Sequence, residues 1–217
     1  MTGDELIQEG RRFARPCVTL DNGGTGEAVA VWGGAGTVPA PDGPYRHWLS
    51  VGCRFLPQRP LGLSGVFSIY SNEGDGETGV MAVDGSASIS AIYGGLLLFR
   101  RPALSLPPID AVFLYGSAAV QEWLAGNAWR PGAAYNDKFP DRETARVYKN
   151  AWTNQCPLYQ QRPPHAALGG WHMPWPEGDW PELSDKQLLA WTFKGAEPWV
   201  EAWADNEGQF AVIQRTS

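Results

Sequence analysis

Five carboxylates, Glu177, Asp179, Glu182, Glu197 and Glu201, fall in the same stretch of chain as six of the eleven tryptophans, at positions 171, 175, 180, 191, 199 and 203. Acids set among indoles suit glycoside hydrolysis. One carboxyl protonates the leaving group, a second acts as base or nucleophile at roughly 5 to 9.5 Å, and indole planes stack on sugar rings. His172, beside Trp171, is a third polar member of that constellation. The same residues also suit a surface without catalysis, because an indole joins a broad apolar plane to one N–H donor and serves protein interfaces, cations and sugars alike. Tryptophans equally make cores. The packing and binding readings require opposite exposures of Trp171, Trp175, Trp199 and Trp203.

Glu201 is flanked on its own strand face by Trp199 and Trp203, so its carboxylate must either meet a partner or sit at a partly wet rim. The segment LGGWHMPWPEGDW, residues 168 to 180, reads as a cover folded over the aromatic face of the C-terminal hairpin. In it Gly169-Gly170 turns the chain and Pro174 and Pro176, with Pro181 just beyond, stiffen it.

Other chemistries lack their signatures. There is no GxSxG, and Ser117 after Gly116 reads as a helix cap rather than a nucleophile elbow. Cys17, Cys53 and Cys156 are odd in number, far apart and without CxxC company, which reads as reduced thiols behaving as small buried hydrophobes. The histidines are His47, His165 and His172, the last two separated by a Gly-Gly turn rather than at zinc spacing. A site of His165, His172 and Asp179 is the one metal combination worth weighing, and no metal is expected. Gly23-Gly24-Thr25-Gly26 and Gly33-Gly34-Ala35-Gly36 lead into no helix that could hold a phosphate, so both read as turns and no cofactor is expected. The acidic run Asn72 to Glu77 departs from EF-hand spacing and reads as a solvated turn.

Charge narrows the partners. The formal net charge is -6, and no basic run exceeds the pairs Arg11-Arg12 and Arg100-Arg101, whereas a phosphate-tracking groove needs a basic stripe. Nucleic acid is therefore not expected. Residues 1 to 16 carry Asp4, Glu5 and Glu9 and no apolar core of a signal peptide. The longest apolar stretch, Ala91 to Phe99, is about half of a membrane span. The expectation is a cytoplasmic protein with no membrane role.

The elements that must position these residues follow from periodicity. A helix is predicted from Asp4 to Ala14 behind a Thr2/Glu5 capping box, and Pro16 ends it. Strands are predicted at Cys17 to Leu20, Glu27 to Trp32 and His47 to Phe55. In the last, Leu49, Val51, Cys53 and Phe55 share one face and Trp48, Ser50, Gly52 and Arg54 the semi-polar other. Gly33 to Pro44 reads as a flexible loop, and Gly65 to Ser71 with Gly79 to Asp84 as a hairpin. Further strands are expected at Leu96 to Phe99 and Ala111 to Tyr115. Helices should follow at Ser117 to Gly126 and from the Asp141 cap to Pro157, then strands at Leu188 to Phe193, Pro198 to Ala204 and Gln209 to Arg215. A four-residue loop in the last hairpin would pair Trp203 with Phe210, Glu201 with Val212 and Trp199 with Gln214.

The expected fold is thus a single α+β domain over residues 1 to 217, mainly antiparallel sheet, with an N-terminal helix and two or three helices in the middle of the chain. The expected function is an acidic, tryptophan-rich binding or interaction module, adaptor-like or toxin-neutralising-like. It would recognise a protein partner or a small polar ligand through Trp171, His172, Trp175, Asp179, Trp199, Glu201 and Trp203. The alternative is a carbohydrate-acting hydrolase using paired carboxylates near the tryptophans.

Overall fold

The computed structural model describes residues 1–60, 62–72, 79–89, 95–107, 116–126, 142–155, 164–171, 186–192, 199–205 and 207–215. They belong to two compact units. The first comprises Met1–Pro16, Leu104–Arg162 and Gly170–Ser184, and the second Cys17–Ala103, Pro163–Gly169 and Asp185–Ser217.

The second unit is built on strands β1 (Arg15–Asp21), β2 (Ala30–Trp32), β3 (Tyr45–Gly52), β4 (Val66–Asn72), β5 (Gly79–Asp84), β6 (Leu96–Ser105), β7 (Ala166–Gly169), β8 (Gln187–Thr192), β9 (Trp199–Ala204) and β10 (Phe210–Arg215). They form one sheet in the order β10-β9-β8-β7-β1-β6-β2-β3-β4-β5. Every pairing whose register is described is antiparallel. The sheet curls until its two end strands meet: a Cβ added at Gly79 of β5 would lie 2.1 Å from Val212 Cγ1 of β10. The result is a nearly closed, barrel-like sheet, which leaves little free edge to pair with another chain.

Period-two alternation sets the barrel's inner face. Leu20, Ala30, Leu49, Val51, Phe67, Ile69, Leu98, Leu168, Ala190, Val200 and Ala202 all belong to one buried apolar cluster. The registers bring them side by side, with Ala30 opposite Val51 and Leu98, and Leu49 opposite Ile69. Small residues gather on β7 to β9, at Ala166, Ala190, Ala202 and Ala204, and large ones, Leu49, Phe67 and Ile69, on β3 and β4 of the same cluster. Alternating bulk of this kind fills a small barrel without voids.

Three expectations are corrected. The strand over His47 to Phe55 starts at Tyr45 and ends at Gly52, and Cys53–Phe55 turns as a single 3-10 helix. The C-terminal hairpin loop has five residues, Asp205 to Gln209, because Asp205 Oδ1 accepts from the backbone N–H of both Glu207 and Gln209. That moves the register by one: Trp203 faces Ala211, Glu201 faces Ile213 and Trp199 faces Arg215. Finally, β7, a central strand between β1 and β8, was not foreseen. Four residues, Ala166 to Gly169, are too short a run to show a period.

The first unit carries the helices described: α1 (Gly3–Arg11), α2 (Ala118–Gly126) and α3 (Arg142–Gln155). The capping box at α1 forms as expected, with Thr2 Oγ1 accepting from Glu5 N–H and the Glu5 carboxylate from Thr2 N–H. The helix ends at Arg11, short of the expected Ala14. It buries Leu6, Ile7 and Gly10, and at Gly10 it approaches the Tyr148 hydroxyl of α3 so closely that a Cβ would lie 3.0 Å from it. That hydroxyl donates to the Pro107 carbonyl at 2.8 Å. Among the described residues no helix is long and apolar enough to cross a membrane. The strand expected at Ala111 to Tyr115, the Asp141 cap, Cys156 and the turn residues after Asn72 lie outside the described residues.

Candidate functional site

The residues expected to carry recognition separate. Trp171 belongs to the first unit, where it is 4% exposed. Its indole Nε1–H donates to the Phe13 carbonyl at 2.7 Å, and the Arg15 guanidinium lies over the ring at 3.5 Å. Gly169 and Gly170 do turn the chain ahead of it, with φ of 64 and 83. Glu201 and Trp203 are brought together on β9 in the second unit, both buried, with Trp203 Nε1–H donating to Glu201 Oε2 at 3.2 Å. Trp191 on the adjacent β8 is buried as well. Trp199 is placed on β9 by its backbone, with its side chain outside the description. His172, Trp175 and Asp179, with Glu177, Glu182 and Glu197, lie outside the described residues. His165 is buried beside Asp21, Nδ1 to Oδ1 at 3.2 Å, and meets Trp32 edge to face.

A different cluster emerges on β3 and β4. In a regular strand, residues three apart face opposite sides, so His47 and Ser50 should not meet. A β-bulge between His47 and Leu49 inserts Trp48 as an extra residue and returns His47 and Ser50 to one face. His47 Nε2 then lies 2.8 Å from Ser50 Oγ, and Ser50 Oγ 2.7 Å from Ser68 Oγ across the strand pair. His47 Nδ1 lies 2.9 Å from the Gly33 carbonyl. A carbonyl only accepts, so Nδ1 carries the proton and the bare Nε2 accepts from Ser50.

This polar row pins a strap, Gly33 to Val38, across the outer face of β3 and β4. Thr37 N–H donates to Ser50 Oγ at 2.9 Å, Val38 N–H to Ser68 Oγ at 3.1 Å, and the Tyr70 hydroxyl donates to the Val38 carbonyl. The loop expected to be flexible is thus held at Gly33, Thr37 and Val38. Gly36 is required by contact: a Cβ there would lie 1.9 Å from the Tyr70 hydroxyl oxygen and 2.9 Å from His47 Cδ2. Gly33 and Gly34 both take φ of 65, the left-handed region that glycine enters without strain. Ser50 and Ser68 are fully buried, so the His-Ser pair has the geometry of a dyad without access to a substrate.

Beside the strap opens a pocket of about 350 Å³ lined by Trp32, Gly33, Gly34, Tyr45, Arg46, His47 and Trp48. The bulged Trp48 is anchored by its Nε1–H donating to Ser71 Oγ at 2.7 Å, and the Arg46 guanidinium lies 4.6 Å over its ring. The Cys53 thiol, below the end of β3, donates to the Ser64 carbonyl and is pushed up to about 11, mainly by burial. It is inert at neutral pH.

Burial holds His47 below its ordinary value of 6.5, against the opposing pull of the Gly33, Gly34 and Leu49 backbone. Below 6.5 the unfolded chain therefore takes up a proton that the native chain resists. The stabilisation by His47 is fully present above 6.5 and is lost as the pH falls from there through the depressed value. In urea titrations, the stability advantage of the wild type over His47→Gln is expected to shrink between pH 7.5 and 5. A constant difference would contradict a neutral, strap-holding imidazole.

Compared with known protein families, curated proteins and solved structures, the chain matches none. The pocket residues were missed because strict alternation placed His47 with Leu49 on the core face. The available signal was Ser50 and Ser68, small polar residues inside runs that otherwise favour strand.

Proposed function

We propose that this α+β chain is a non-catalytic binding module that takes a small polar ligand in the pocket beside the strap. The observation that carries this reading is the lining itself. Trp32, Tyr45 and Trp48 supply aromatic surface, Arg46 a charge and His47 a ring whose two nitrogens are already engaged. The accessible lining is more polar than apolar, which suits a polar ligand held against aromatic side chains. The groups next to it that could do chemistry, His47 and Ser50, are held in the strap's hydrogen bonds.

A protein partner recognised through Trp171 to Trp203, adaptor-like or toxin-neutralising-like, is the competing reading. The burial of Trp171, Glu201 and Trp203 favours packing for those three side chains. The hydrolase alternative takes any two of Glu177, Asp179, Glu182, Glu197 and Glu201; of these Glu201 is 0% exposed and faces no open cleft, and the other four lie outside the described residues.

A fragment panel screened by saturation-transfer NMR tests the pocket. Aromatic fragments are expected to bind the wild type and to lose affinity for Tyr45→Ala. Binding that Tyr45→Ala leaves unchanged, or no binding at all, would overturn the assignment.

A further inference from the structure

We infer that the ligand of this pocket is a small planar carboxylate, clamped by Arg46 and stacked against the aromatic wall; the inference rests on reading the pocket as the binding site. Among the described residues of the lining Arg46 is the one formally charged side chain, and none is an acid. Among the described residues Arg46 has no carboxylate within ion-pair distance, in a chain whose net charge is -6. Its guanidinium is instead held over the Trp48 ring. A guanidinium that stacks on an indole uses one of its faces and keeps its in-plane N–H groups for a carboxylate, which it meets with two parallel hydrogen bonds.

His47 adds no second cation, because its proton is on Nδ1 and directed to Gly33, and its Nε2 accepts from Ser50. With one cation and no helix N-terminus among the described lining residues, the site matches a single negative charge better than a phosphate dianion. Trp48 is buried under Arg46, whereas Trp32 and Tyr45 are partly exposed, and their flat rings favour a planar group attached to that charge. A pocket near 350 Å³ lies at the small end of the range for ligand sites, so the ligand is of the order of one ring and its carboxylate.

Isothermal titration calorimetry with benzoate, phenyl phosphate, benzyl alcohol and benzylamine distinguishes the outcomes. Benzoate is expected to bind tightest. Arg46→Gln should weaken it about tenfold or more, and Arg46→Lys by less, because lysine keeps the charge and loses the fork. Benzyl alcohol should be indifferent to either change. Arg46 is exposed, so both variants should fold, and circular dichroism checks it. Preference for phenyl phosphate overturns the carboxylate assignment. Benzyl alcohol or benzylamine binding as well as benzoate overturns the charge argument while leaving the pocket standing as a binding site. If none of the four binds, both the ligand class and the pocket reading fall.

Discussion

Ser50→Ala is expected to lower the free energy of unfolding by about 3 kcal/mol, a large effect for removal of one oxygen. Ser50 Oγ meets three groups at once: Thr37 N–H at 2.9 Å, His47 Nε2 at 2.8 Å and Ser68 Oγ at 2.7 Å. The residue is fully buried, so no water replaces the lost partner. Each group left without a partner costs roughly 1 to 3 kcal/mol, and the Ser68 hydroxyl can turn elsewhere, which puts the sum near the lower end. Urea unfolding followed by circular dichroism measures it. A loss under about 0.5 kcal/mol, the range of an ordinary surface substitution, would mean that the strap is not held by this row. Combining Ser50→Ala with His47→Gln should cost less than the two singles added, because they break one shared hydrogen bond.

Gly65→Ala is expected to cost at least as much, for a different reason. Gly65 has φ of +67, and a Cβ there would lie 2.0 Å from the Asp84 carbonyl oxygen and within 2.7 Å of the Gly85 backbone. Its own carbonyl accepts from Cys53 N–H at 2.9 Å, which ties the loop to the end of β3. The left-handed conformation alone costs an alanine roughly 1 to 2 kcal/mol, and overpacking against atoms that cannot step aside adds roughly 1 to 3 more. About 3 to 4 kcal/mol is the expected total. Gly62 gives the control, since its φ is +79 and nothing lies within 4 Å of a Cβ. Gly62→Ala should therefore show only the conformational part, about 1 to 2 kcal/mol. Equal losses at the two positions would show that the contact of Gly65 with the end of β5 is not tight.

Much of the framework is legible before any coordinates. The antiparallel character of the sheet follows from the two hairpins, in which strand-type runs flank turn formers between β4 and β5 and between β9 and β10, and the α1 cap from Thr2 and Glu5, because both are local. What fails is non-local. The bulge at Trp48 depends on how β3 meets β4, and no run of residues in β3 announces that one of them is extra. Once it is inserted, His47 changes face, Ser50 becomes the centre of a buried row, and Trp48 becomes a platform for Arg46. The tryptophan count drew attention to residues 171 to 203, yet composition cannot distinguish an indole facing the core from one at a site. The indole N–H groups of Trp171 and Trp203 are engaged with the Phe13 carbonyl and the Glu201 carboxylate. The C-terminal register slipped by one because the capping role of Asp205 lengthens the loop.

We propose that recognition occurs at the β2–β3 pocket and not on the buried indoles of the C-terminal region. Fluorine NMR of the protein labelled with 5-fluorotryptophan, its resonances assigned by single Trp→Phe variants, tests this most directly. On titration with benzoate, the Trp32 and Trp48 resonances should move together along one saturable curve while those of Trp171, Trp191 and Trp203 stay fixed. Movement confined to Trp171, Trp191 or Trp203, or no movement at Trp32 and Trp48, would contradict it.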